Sequence, residues 1–168
     1  MFKVQTKLRH LLFKGVKLNE NDFFLINDKD NLERNWAWFD GTPLMYIPGY
    51  IKMIAYGNEL TTSADWDYPF YMWQNIFNNV EGLVNGEGME IAFLESPQKY
   101  IFERNGPDYF LFYLEINDKS KAKTIIPKTE VIDGFFSSAI EVFNCIETVD
   151  PILGEASMKF INELSASK

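Results

Sequence analysis

The side chains best placed to do chemistry in this chain lie in one run of four, Asp65-Trp66-Asp67-Tyr68, immediately before Pro69. Two carboxylates spaced two apart on an extended segment project the same way. Set beside Trp66 and Tyr68, they could serve as the acid and base of a glycosidase, with the rings as a sugar platform. They could equally form an acidic docking point for an Arg or Lys of a partner. The third reading is local: Asp67 caps a helix that starts at Pro69, and Asp65 is solvated.

Other chemistry is sparse. His10 is the one histidine and sits in a basic N-terminal run, with neither Ser63 nor Cys145 in a nucleophile motif near it. Cys145, the one cysteine, falls beside the apolar stripe of a predicted helix and reads as a half-buried structural thiol. HExxH, CxxC, GxGxxG and GxxxxGK[ST] do not occur. Asn85-Gly86-Glu87-Gly88 holds a GxG, but between a helix and a strand, the wrong order for cradling phosphate; it reads as a helix stop. Asn27, Asp28, Asp30 and Asn31 match a calcium loop superficially, without its Gly or its terminal Glu. The sequence therefore names no catalytic residue, no metal ligand and no cofactor.

The elements that must position the four residues follow from periodicity. Phe2, Val4, Thr6 and Leu8 alternate as in a strand. Asp22–Ile26 and Asn35–Phe39 read as short strands separated by polar turn material, and Asp40-Gly41 as a tight turn into TPLMYI. Pro48–Leu60 is ambiguous apart from a turn at Tyr56-Gly57-Asn58. From Pro69, the residues Phe70, Trp73, Ile76, Phe77, Val80 and Leu83 recur at helical spacing, predicting a helix near 69–84. Three runs between 89 and 116 predict an antiparallel meander. NDKSKAKT reads as a basic linker leading to a second helix near 129–147, and a third is predicted near 152–165. The expected fold is one α+β domain over 1–168: an antiparallel sheet of about five or six strands packed by about three helices.

Charge and composition narrow the function. The net charge is −8, and residues 18–118 carry 17 acidic against five basic residues. Such a surface repels phosphate backbones, which argues against nucleic acid, and attracts a basic partner. The lone cysteine, the absence of a continuous apolar leader and the absence of any membrane-length apolar run predict a soluble, cytoplasmic chain. Aromatics make up 16% of residues, enough to furnish both a core and an interface.

Two functional classes follow. The first is a non-catalytic binding protein with Asp65, Trp66, Asp67 and Tyr68 as its contact surface. In size, acidity, the NWAWFDGTPLMYI and DWDYPFYMW stretches, and a meander followed by the PKTEVIDGFFSSAIEVF helix, the chain resembles the bacterial immunity proteins against polymorphic or contact-dependent toxins. That resemblance implies tight binding of a basic toxin domain and blockage of its active site. The second class is an enzyme or small-molecule binder with an aromatic pocket using Asp65 and Asp67. A subunit of a larger assembly is a third possibility.

Overall fold

The computed structural model describes residues 1–10, 18–39, 42–151, 159 and 161–162. The class is α+β, and the eight strands among those residues divide between two antiparallel four-stranded sheets.

The first sheet runs β2-β1-β3-β4, with β1 (Phe2–Arg9), β2 (Phe23–Leu25), β3 (Gly49–Ala55) and β4 (Asn58–Glu59). Phe2, Val4 and Thr6 of β1 lie opposite Ala55, Met53 and Ile51 of β3, and all six are buried on one face. Between β3 and β4, Tyr56 and Gly57 both take positive φ, 52° and 82°, as a two-residue hairpin turn requires.

The second sheet is a meander of β5 (Gly88–Ala92), β6 (Gln98–Arg104), β7 (Tyr109–Ile116) and β8 (Lys119–Pro127). Its fourth strand corrects the reading of NDKSKAKT as a linker. Asn117 and Asp118 adopt left-handed φ values of 49° and 60° and reverse the chain straight back onto β7. Lys119, Lys121 and Lys123 alternate along the strand and stay exposed, a polar pattern with no apolar run to reveal it.

Residues 29–39 supply a second correction, because they form α1 (Lys29–Phe39) and not a turn followed by a strand. Leu32, Asn35 and Phe39 are buried at helical spacing, and Trp36 packs against the core beside them. Asp28 starts the helix, accepting a hydrogen bond from Asn31 N–H at 3.2 Å. The predicted Asp40-Gly41 turn lies outside the described residues, and Leu44–Tyr46 forms a 3-10 turn where TPLMYI suggested a strand. Helices α2 (Pro69–Asn85) and α3 (Lys128–Val149) match the predicted spans closely, with Pro69 in the first turn and Gly86 as the left-handed cap of α2. Most of the predicted helix at 152–165 lies outside the described residues, although Lys159, Ile161 and Asn162 are helical.

Both sheets press a face against α2 and α3. Phe2 of β1, Phe102 of β6 and Phe135 of α3 meet with ring centroids 5.4–6.1 Å apart. A Cβ on Gly134 would fall 2.7 Å from the Phe2 ring, so only glycine lets α3 close this tightly on β1. Trp73 of α2 lies edge-on to Phe135 and donates from Nε1 to Thr6 Oγ1 at 2.8 Å, which satisfies the two polar atoms that this contact buries. No described helix is long and apolar enough to cross a membrane.

Candidate functional site

The segment from Thr61 to Tyr68 leaves β4 and leads into α2, and four anchors hold it. Thr61 is buried; its Oγ1 accepts from Met53 N–H at 2.7 Å and donates to the Ile51 carbonyl at 2.8 Å, bonding the segment to β3. Thr62 and Asp65 form a capping box around a 3-10 turn (Ser63–Asp65), with Asp65 Oδ2 accepting from Thr62 N–H at 2.7 Å. Burial pushes the Asp65 carboxyl up, and the hydrogen bonds from Thr62 oppose that shift.

The other two anchors belong to Asp67. Its backbone exchanges hydrogen bonds with Gly49, 2.8 Å from its N–H and 2.9 Å to its carbonyl. Gly49 is required there, because a Cβ would lie 2.1 Å from the Lys7 carbonyl. The Asp67 side chain is fully buried and accepts from Glu95 N–H at 3.0 Å and from Tyr68 N–H at 2.7 Å. Glu95 lies in the connection between β5 and β6, so this carboxylate ties the second sheet to the edge of the first. Asp67 is therefore not a solvent-facing docking carboxylate, and it does not cap α2 either: Tyr68 is the N-cap residue, without a side-chain cap bond.

The four residues consequently separate. Asp65 Oδ2 and both oxygens of Asp67 accept from backbone N–H groups of this chain, which is structural use. Trp66 and Tyr68 carry the surface. Trp66 is 36% exposed, with the Arg9 guanidinium 5.7 Å from its ring centroid. Tyr68 meets Tyr46 edge to face at 5.8 Å, and Tyr46 is 47% exposed. Burial, then the neighbouring Glu95 carboxylate, raises the Tyr68 hydroxyl above the usual tyrosine range. Trp, Tyr and Arg are the residue types that dominate interface energetics. Tyr46 and Arg9 carry no motif. The outward phase of β1 was the only signal for Arg9, and nothing local marked Tyr46.

A second polar cluster lies on the outward face of the first sheet. Lys7 and Lys52 both pair with Glu20, Lys52 also reaches Glu59 at 2.6 Å, and Tyr50 donates to Glu20 at 2.5 Å. Burial works to raise the Glu20 carboxyl, but hydrogen bonds from Lys7, Tyr50 and Lys52 outweigh it and hold the group down to about 2. A carboxylate depressed on folding stabilises above its unfolded pKa and loses that contribution as pH falls through its folded one, here from 4.5 to about 2. Glu20→Gln should therefore flatten the acid limb of stability across that window. With solvent screening of this half-exposed group, the expected difference at neutral pH is about 1–2 kcal/mol. Urea unfolding at neutral and at acid pH measures it.

No protein-family model, curated protein or solved structure matches the chain.

Proposed function

We propose that the chain is a binding protein for a basic partner, engaged through the surface of Trp66, Tyr68, Tyr46 and Arg9. The observation that carries this reading is the exposed Trp66 and Tyr46–Tyr68 cluster, fixed to both sheets through Asp67 on a chain of net charge −8. Rigid aromatics lose little entropy on docking, and the acidic field speeds capture of a cationic protein. Among basic partners, a bacterial toxin domain is the one that the resemblance to the immunity proteins implies; on that reading the chain covers the toxin's active site.

Co-purification from the native host tests this. Trp66→Ala should weaken the recovered complex by about 2 kcal/mol or more while leaving the urea midpoint unchanged. Raising the salt concentration should slow association and leave dissociation nearly constant. Recovery of no basic partner, together with unchanged toxin sensitivity on deletion, overturns the proposal.

A further inference from the structure

β5 is an edge strand of the second sheet and pairs with β6 alone. Phe93 N–H donates to the Gln98 carbonyl at 3.1 Å. By the alternation of an antiparallel ladder, Met89 and Ile91 also turn their backbone groups to β6. The N–H and C=O groups of Glu90 and Ala92 then point away from β6, whereas the Gly88 carbonyl lies against Gly82 of α2. Among the described residues none pairs with those groups of Glu90 and Ala92. A cleft of about 650 Å³ follows that edge, with Asn75 and Asn79 of α2 on one wall and Ile101 and Tyr113 on the other.

The cleft is charged in one sense. Glu87, Glu90 and Glu103 line it and are exposed, and no Lys or Arg is among its lining residues. Lys99 touches Glu90 at 3.3 Å from outside the lining, through a contact open to solvent. Burial, then Glu103, Glu115 and Glu90, raises the Tyr113 hydroxyl, as expected where the local field is negative. The opposite edge differs. β8 carries exposed Lys119, Lys121 and Lys123, and lysines along an edge deter strand addition, whereas β5 has none.

We propose that β5 is a docking edge, to which an extended basic segment of a partner protein adds as a further strand. Its backbone pairs with Glu90 and Ala92, and alternate Lys or Arg side chains lie against Glu87, Glu90 and Glu103. The proposal rests on the basic-partner reading above and gives that partner a second attachment, in a cleft whose lining does not include Trp66.

A fluorescent peptide of alternating Lys and Val, titrated into the full chain, tests it, with an alternating Glu and Val peptide as comparison. The Lys peptide should bind, the Glu peptide should not, and hydrogen exchange at the amides of Glu90 and Ala92 should slow on binding. Ala92→Pro removes an edge donor without removing a bond to β6, and should weaken the peptide roughly tenfold or more. Glu90→Pro does the same one step along. Should neither variant fold, exchange in the unaltered chain decides. No binding, binding untouched by proline, or protection at other amides overturns the proposal. Protection of the same amides by a concentration-dependent dimer without peptide also overturns it, because the occupant is then a second copy. Trp66→Ala should leave peptide affinity unchanged. A failed peptide beside a captured partner therefore removes this edge alone, and a bound peptide without any partner removes the reading at Trp66 alone.

Discussion

Replacing Asp67 with alanine should lower the free energy of unfolding by about 3 kcal/mol. The carboxylate is fully buried and serves the N–H groups of Tyr68 and Glu95, so truncation leaves both donors without their acceptor. Hydrogen bonds to a charged group contribute about 1.5–3 kcal/mol each, and orphaned buried donors add a desolvation cost. Asp67→Asn keeps one acceptor oxygen and should lose about half as much. Urea unfolding measures both variants, and hydrogen exchange at the Glu95 amide should accelerate well beyond the global change. A loss below about 1 kcal/mol for the alanine variant would show that the carboxylate is not the link between the sheets.

Trp73→Ala should cost still more, about 4 kcal/mol. The indole is 1% exposed and sits between Phe77 and Phe135, so truncation empties a site that several elements enclose. It also strands Thr6 Oγ1, which accepts from the indole nitrogen. Thr6→Val separates the two contributions: it removes the acceptor, fills the volume, and should cost only about 1 kcal/mol. Calorimetry or urea titration of the pair would show whether cavity or hydrogen bond dominates. Equal losses in the two variants would overturn the assignment to packing.

What could be read from sequence and what could not divide along physical lines. α2 and α3 were legible because long amphipathic stripes repeat at helical spacing over several turns, and Pro69 and Gly86 mark the ends of the first. The meander was legible because turn residues punctuate it. α1 was misread because Trp36 and Trp38 alternate like a strand, while its helical contacts at Leu32 and Phe39 are few and flanked by charge. β8 was missed because its outward lysines interrupt the apolar pattern; the cue that survives is Asn117-Asp118, a pair suited to left-handed φ. At the candidate site, sequence located the segment but not the division of labour within it. Spacing two apart predicted that Asp65 and Asp67 would share a face. The 3-10 turn binds Asp65 to Thr62 and the bridge to Gly49 sets Asp67 against Glu95, and a bridge to a residue far away in sequence leaves no local trace.

The closeness of α3 to β1 at Gly134 also constrains how the protein is made. Phe2 and Gly134 stand 132 positions apart, so a ribosome needs on the order of ten seconds to deliver the helix after the strand. Throughout that interval Phe2, Val4 and Leu8 have no α3 to cover them. The meander, whose strands are neighbours in sequence, meets no such delay. Nascent chains should therefore offer their first strand to chaperones until α3, which directly follows β8, has emerged.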